Sequence, residues 1–249
     1  MTSGGDAMPG PTDGGGSDAS GGGADGGPVL PKRVLLYHFT TINIPTVPAQ
    51  LALFKAKLDT WGFTYDDSVD PAKFTDAGLA GYGAVAMINA CGEPFGAGKP
   101  DRPQSEALQR FVQKGGGLFG THCAVLTFTS ANPPALYNQL FGGRGGNGNF
   151  DGMSNCRRTA DHVTSAQLPA TFAFNGNLDN TDYVAPDSTV LVRCTWTGPN
   201  GKDVPVSWYR TEGSGRVFYT NFAKVDSDLT DMTIGDHHIV EGLSWILRR

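Results

Sequence analysis

The segment with the clearest capacity for chemistry is GGGLFGTHCA, residues 115–124. Its apolar residues predict a buried strand that ends at Gly120 and Thr121, and the residues after it predict a sharp turn into a helix. A turn of this kind presents one side chain, here His122, beside the free amide groups of the helix. Because an imidazole titrates near neutral pH, we predict that His122 is a catalytic acid or base; a neutral hydrogen-bonding role is the alternative.

Polar residues also follow two other apolar runs. RVLLYH ends at His38, and GAVAMINA contains Asn89 and precedes Glu93. Ligands of an open parallel sheet bind beyond the carboxyl ends of its strands. We therefore predict Glu93 as a catalytic group that receives a proton or binds a hydroxyl group, and His38 and Asn89 as substrate-binding residues. A hydrogen-bonded position at the rim is the alternative for His38.

Three further histidines lie in the second half of the chain. His162, next to Asp161, is predicted to be catalytic, as a second base; a histidine packed behind a turn is the alternative. His237 and His238 stand at the start of the last predicted helix and are expected at the surface. A metal bound by histidines is not predicted, and neither is any other cofactor.

The four cysteines are Cys91, Cys123, Cys156 and Cys194, and none of them forms a CxxC pair. Their spacing is not that of a zinc finger or ribbon. Cys123 is a candidate nucleophile, but it follows the turn residue and is assigned to the substrate-binding group. Cys156 and Cys194 could form a disulfide in an exported protein, and four buried free thiols are the alternative.

Strands alternate with helices in the first half of the chain, which predicts a doubly wound parallel sheet. The predicted strands are RVLLYHF, FTYDDS, GAVAMINA and GLFGTH, and the predicted helices are AQLALFKAKLDTWG and SEALQRFVQK. After residue 130 a glycine-rich stretch is interpreted as a mobile loop that carries one arginine. Three β-rich runs follow, near residues 190–196, 204–209 and 216–221, and DHHIVEGLSWILRR predicts a closing helix.

Composition excludes several classes of function. The net charge of −5 and the charged fraction of 17% leave no basic stripe for nucleic acid, and no run of about 18 apolar residues predicts a membrane span. Residues 1–28 are a Gly/Ser/Asp-rich stretch that predicts a disordered linker before one domain, residues 29–249. Such a tether is typical of an exported bacterial lipoprotein anchored upstream, in the cell envelope or periplasm; a cytoplasmic location is the alternative.

The order of motifs resembles the ThuA-like (trehalose utilisation) family. They are Asn89, the glycines at 115–117, His122 in Gly-Thr-His-Cys-Ala, His162, Asp182-Tyr183, VPVSWY at 204–209, GRVFYT at 215–220 and GLSW at 242–245. The resemblance implies a three-layer, flavodoxin-like sheet of the class I glutamine amidotransferase type, mostly parallel, with a β-rich C-terminal half and a closing helix. It also implies that Asp182 and Tyr183 contact a sugar.

Two polar positions of the family are missing from this chain. The loop after the first strand, residues 42–45, has no titrating side chain, and Ala223-Lys224 stands where the family has Gly-His. Three hypotheses therefore stay open. The chain is an enzyme of disaccharide or glycoside metabolism, a non-catalytic envelope module that binds a small carbohydrate, or a thiol amidohydrolase that uses Cys123. Its reaction and oligomeric state are left open.

Overall fold

The computed structural model describes residue 1 and residues 28–39, 45–96, 103–198 and 201–249. Most of the predicted linker and the loop at 42–44 lie outside these ranges. The strands are β1 (Arg33–Tyr37), β2 (Thr64–Ser68), β3 (Ala84–Met87), β4 (Gly117–Thr121), β5 (Gly143–Arg158), β6 (Thr171–Val184), β7 (Thr189–Trp196), β8 (Asp203–Glu212) and β9 (Gly215–Thr220). The α-helices are α1 (Val47–Thr60), α2 (Asp76–Leu79), α3 (Pro103–Gln113), α4 (Leu136–Phe141), α5 (Asp226–Thr230) and α6 (Glu241–Ile246).

All nine strands belong to one mixed sheet in the order β2-β1-β3-β4-β9-β8-β7-β5-β6. The pairings from β2 to β9 are parallel, whereas those from β9 to β6 are antiparallel. The prediction of a mostly parallel sheet is therefore wrong. The antiparallel half contains the longest strands, and direct connections join β5 to β6, β7 to β8 and β8 to β9 without the crossover helices that parallel strands need.

The α/β class and the three-layer arrangement are confirmed in the parallel half. Alternate residues of β1 enter different cores, with Val34 and Leu36 on one face and Leu35 and Tyr37 on the other. The first core contains α1 and α6, and the second contains α2, α3 and α4. Strands that are covered on both faces read as continuous apolar runs, which is why the sequence identifies them.

The glycine-rich stretch after α4 forms the long strand β5, so its interpretation as a mobile loop is wrong. Its glycines allow other side chains to pack against the backbone. A Cβ atom at Gly143 would lie 2.2 Å from the ring of Trp208, and one at Gly145 would lie 2.2 Å from Leu126. The glycines at these positions therefore allow side chains from neighbouring segments to pack directly on the strand, and they do not indicate a loop.

Two disulfides connect separate segments, so the alternative of four free thiols is wrong. Cys156 on β5 pairs with Cys194 on β7, with Cα atoms 4.0 Å apart. Cys91, in the loop after β3, pairs with Cys123, just beyond β4, with Cα atoms 5.2 Å apart. The bond between Cys156 and Cys194 is the one that the sequence raises as a possibility, and the bond between Cys91 and Cys123 is shown by the structure alone.

The closing helix differs from its prediction. Met232–Val240 has π-helical hydrogen bonding before α6 begins. His238 is fully buried in this segment and not at the surface as expected, with Nδ1 2.6 Å from the carbonyl of Thr164 and Nε2 3.0 Å from the hydroxyl of Ser207. None of the helices in the described ranges is long and apolar enough to cross a membrane.

Candidate active site at the end of strand β4

His122 occupies the sharp turn that the sequence predicts. It follows β4 directly with φ +46°, a left-handed conformation that is uncommon outside glycine, and begins a single 3₁₀ turn, His122–Val125, rather than a long helix. The hydroxyl of Tyr219 donates to the carbonyl of His122 at 2.5 Å. Gly120 makes the turn possible, because a Cβ atom there would lie 2.6 Å from the ring of Phe141.

The imidazole of His122 faces Asp179, which sequence analysis did not identify. Nε2 of His122 lies 3.1 Å from Oδ2 of Asp179, and the two residues are 2% and 5% exposed. The distance suits a hydrogen bond, but neither atom makes one with favourable geometry. Asn221 holds the backbone of Asp179 from both sides, accepting from its N–H at 3.1 Å and donating to its carbonyl at 2.8 Å.

Burial has opposite effects on the two partners. It lowers the pKa of His122 to about 3, with a smaller contribution from the positive charge of Lys224. It raises the pKa of Asp179 to about 6, and Lys224 opposes that rise. Both effects disfavour the charged form of a group removed from water. At neutral pH the imidazole is therefore neutral, and the carboxyl group titrates close to neutrality.

Lys224 supplies the positive charge of this cluster. Its Nζ donates a hydrogen bond to Oδ1 of Asn177, which lies on β6 two residues before Asp179. Asn177, Asp179 and Thr181 are all buried. Lys224 stands where the family resemblance leads us to expect a histidine, and it lies beside the candidate site. A positively charged side chain therefore takes the place of that histidine.

A buried network of hydrogen bonds connects the carboxyl ends of β3 and β4 with α1. The hydroxyl of Thr121 donates to Oε1 of Gln50 at 2.9 Å and accepts from the N–H of Asn89 at 3.1 Å. Nδ2 of Asn89 lies 3.4 Å from the hydroxyl of Thr46 and 3.3 Å from the carbonyl of Ala223. Asn89 was predicted to bind substrate, and the structure shows its amide engaged with other parts of the protein.

The disulfide Cys91–Cys123 lies beside the imidazole. The two sulfur atoms and a ring nitrogen of His122 all lie within 4.8 Å of one another, and all three residues are buried. Cys123 has no free thiol in this state. The amidohydrolase alternative requires a thiolate at Cys123, so the oxidised protein does not support it.

His38 and Glu93 lie in loops at the same edge of the sheet. Nε2 of His38 is 2.6 Å from Oδ1 of Asp67, whose other oxygen lies 2.7 Å from Nζ of Lys55. His38 is therefore part of an ion-pair group near β2, on the far side of β1 from His122. Glu93 is partly buried in the loop after β3. The roles given to both residues stay predictions.

His162 is not brought to His122. Its ring stacks on Tyr209 with centroids 4.1 Å apart and contacts the edge of Trp245 at 4.9 Å. Trp245 in turn packs on Arg216, at the amino end of β9. Tyr209 pairs with Phe218 in the middle of β9, so the ring of His162 packs over the antiparallel half of the sheet, whereas His122 follows the carboxyl end of β4.

Asp182 and Tyr183 lie on β6 but outside the buried pair. The carboxylate of Asp182 receives Nε of Arg144 at 3.0 Å and its NH2 group at 3.3 Å. Asp179, three residues earlier, is the buried carboxylate. The sugar contact given to Asp182 and Tyr183 stays a prediction, and an acidic residue next to an aromatic one does not indicate which aspartate of β6 faces inward. Alternation along β6 places Asp179 on the face opposite the core residues Phe174 and Leu178, so the sequence pattern gives no signal that this aspartate is buried.

Comparisons with known proteins agree with this fold. The family model for ThuA, described as trehalose utilisation, matches residues 33–246. A ThuA-like protein from Bacteroides uniformis ATCC 8492 is 18% identical with a TM-score of 0.68, over 87% of this chain and 91% of that one. One from Parabacteroides merdae ATCC 43184 is 17% identical with a TM-score of 0.64, over 87% and 90%.

A more distant similarity involves part of a larger enzyme. A β-galactosidase from Bacillus circulans sp. alkalophilus is 14% identical with a TM-score of 0.54, over 86% of this chain but only 31% of that protein. At this identity the likeness concerns the fold alone. A search of curated proteins finds no match.

Proposed function

We propose that this chain, which belongs to the ThuA (trehalose utilisation) family, acts on a disaccharide or glycoside at the carboxyl end of β4. The family assignment supports a role connected with carbohydrate. The choice of site rests on the chemistry of His122 and its surroundings, because a fold by itself does not specify a reaction.

The observation that carries the proposal is the buried pair of His122 and Asp179, 3.1 Å apart. A carboxyl group whose pKa is raised to about 6 can both take up and release a proton near neutral pH. The neutral imidazole beside it can accept a hydrogen bond or a proton from a sugar hydroxyl group. We therefore assign the pair to proton transfer at a hydroxyl or glycosidic oxygen.

The low exposure of His122 favours a second candidate function. At 2% exposure the imidazole has no direct access to a ligand unless neighbouring residues move. A module that binds a carbohydrate without turnover needs no such access, because its sugar can contact the rim of the site instead. We keep this as the alternative to an enzyme.

The two disulfides support our proposal that the protein is exported to the cell envelope. Disulfides persist in oxidising compartments and are rare in the cytoplasm. Fractionation of cells, with trapping of free thiols before lysis, tests this location. Envelope protein with no thiol to trap is expected, whereas reduced protein in the cytoplasm would contradict export.

The function is tested with the full chain and a panel of sugars that includes trehalose, other disaccharides and simple glycosides. Calorimetry measures binding, and mass spectrometry with ¹³C NMR detects products. The variants are His122→Gln and Asp179→Asn. Asp182→Asn is the comparison variant, because it changes another aspartate of β6, paired with Arg144 outside the buried pair, to which the family resemblance gives only a sugar contact.

We expect turnover in the parent, retained turnover at saturating sugar with weaker binding in Asp182→Asn, and loss of turnover by at least tenfold in the other two variants. If the parent binds a sugar without forming any product, and Asp179→Asn binds it with the same affinity, the protein is a sugar-binding module and not an enzyme. Loss in Asp182→Asn alone would move the site to Asp182 and Arg144. No binding to any sugar would overturn the carbohydrate proposal.

A further inference from the structure

We propose that Cys91, Cys123 and His122 bind a thiophilic divalent cation, with Zn²⁺ as the reference ion, when the Cys91–Cys123 disulfide is reduced. In the described part of the chain these residues form a compact group of possible metal ligands, with their ligand atoms within 4.8 Å of one another. Cysteine thiolates and histidine nitrogen are the ligands that zinc prefers.

The required geometry is close to the one observed. Zinc binds sulfur at about 2.3 Å and nitrogen at about 2.1 Å, so two thiolates on a tetrahedral ion lie about 3.8 Å apart. The sulfur atoms must therefore separate when the disulfide opens. Rotation about the two Cα–Cβ bonds supplies this movement, since the Cα atoms are already 5.2 Å apart.

The backbone around the cysteines is held by contacts other than the disulfide. The N–H of Cys91 donates to the carbonyl of Asn89 at 2.8 Å, and the carbonyl of Cys123 accepts from the N–H of Leu126 at 2.9 Å. Gly92 and Thr127 form a parallel β-bridge between the two segments. The dithiol form therefore keeps its two sulfur atoms close together.

Unpartnered polar atoms point independently to a missing ligand. Both ring nitrogens of His122 and Oδ2 of Asp179 are buried without a hydrogen bond. Buried polar groups without partners are rare and costly, so each requires an explanation. A metal ion on one ring nitrogen would satisfy it, and Asp179 lies 3.1 Å from Nε2, where a carboxylate can orient a metal-bound histidine.

The charges of such a site balance. Two thiolates neutralise a divalent cation, and an imidazole that coordinates a metal through one ring nitrogen adds no charge. The carboxylate of Asp179 lies within the electrostatic influence of Lys224. A buried site with little net charge avoids most of the desolvation penalty of an isolated ion. Three protein ligands leave one coordination position open, as in catalytic zinc sites.

Opening the site consumes two electrons and two protons. A dithiol reductant breaks the S–S bond, becomes a disulfide itself, and leaves a thiol on each cysteine. Metal binding then displaces the two thiol protons to solvent. The disulfide and the metal therefore exclude each other, and the redox state of this pair decides whether His122 is available for proton transfer or occupied by an ion.

The test uses the full chain, oxidised or reduced with a phosphine that is then removed. Co²⁺ is titrated first, because its thiolate complexes absorb in the near ultraviolet and its d–d bands report tetrahedral geometry. Zn²⁺ affinity follows from competition with a chromophoric chelator. The site variants are Cys91→Ser and His122→Gln, and the matched control is the double variant Cys156→Ser/Cys194→Ser, which removes only the other disulfide.

We expect one Co²⁺ per reduced chain with thiolate absorption, both in the parent and in the control variant. Oxidised protein and Cys91→Ser should lack that band, and His122→Gln should weaken Zn²⁺ binding at least tenfold. Absence of uptake by reduced protein would overturn the proposal, as would uptake unaffected by Cys91→Ser. Loss of the near-ultraviolet circular dichroism on reduction, not restored by Zn²⁺, would overturn it too. No sugar is present, so the result is independent of the proposed function.

Discussion

Replacing Asp179 by asparagine tests the electrostatics of the candidate site directly. The substitution keeps the shape of the side chain, and the hydrogen bonds to Asn221 survive because they use only the backbone of residue 179. Burial raises the pKa of the carboxyl group from 3.8 to about 6. Between these values the native chain holds a proton that the unfolded chain has lost, so the stability of the wild type falls as pH rises.

The magnitude follows from the two pKa values. The span from 3.8 to about 6, at about 1.4 kcal/mol per pH unit, corresponds to about 3 kcal/mol in total. About 2 kcal/mol of this loss falls between pH 4.5 and pH 7.5. Asparagine does not titrate, so the stability of Asp179→Asn relative to the wild type should rise by about 2 kcal/mol over that interval.

Urea denaturation at pH 4.5 and 7.5 measures this difference. Comparing the two proteins at each pH cancels the titration of all other groups and any constant effect of the buried amide. Asp182→Asn, which changes an aspartate of the same strand outside the buried pair, is measured alongside as the control. A difference for Asp179→Asn that is the same at both pH values would refute the argument that burial controls this carboxyl group.

Three other predictions concern the surrounding fold. Burial lowers the pKa of His238 from 6.5 to about 4, so the unfolded chain takes up a proton before the native chain does as pH falls, and about 3 kcal/mol of stability is lost between pH 6.5 and 4. His238→Gln should flatten this part of the stability profile measured in urea, and an unchanged slope would contradict the prediction. Replacing both cysteines of the β5–β7 disulfide by serine should lower the free energy of unfolding by about 4 kcal/mol, because the bond closes a loop between residues 38 apart. A loss below about 1 kcal/mol in urea titrations would be inconsistent with this loop-closure argument. Gly143→Ala should lower the free energy of unfolding by about 1–3 kcal/mol, because its Cβ would lie 2.2 Å from the ring of Trp208, which is held by a 2.8 Å hydrogen bond to the carbonyl of Phe141. Thermal melts measure this loss, and the control Gly81→Ala, whose Cβ would meet nothing within 4 Å, should melt close to the wild type.

The strands of the parallel half were predictable because both their faces are buried. GAVAMINA and GLFGTH are continuous apolar runs, and in the structure β3 and β4 are buried at every position. The stretch AQLALFKAKLDTWG was predicted as a helix, and it forms most of α1, which ends two residues before Gly62 with φ +71°. Local composition was sufficient in these cases, since each element carries its own burial pattern.

The β5–β6 hairpin could not be predicted in the same way. β5 contains four glycines among its first six residues, and such a composition is typical of a loop. Its strand conformation depends on pairing with β6 and β7 and on the side chains that fill the space above its glycines. These partners are distant in sequence, so the pattern within the segment carries no signal for them.

The sequence was sufficient to identify the family, the α/β class and the sharp turn that carries His122, because a buried strand and the turn that follows it are recorded in consecutive residues. Only the tertiary structure decided which groups surround that imidazole. Asp179 comes from β6, and Cys91 from the loop after β3. The physical reason is that burial, pKa and metal affinity depend on groups brought together across the sheet, and chain spacing does not record that proximity.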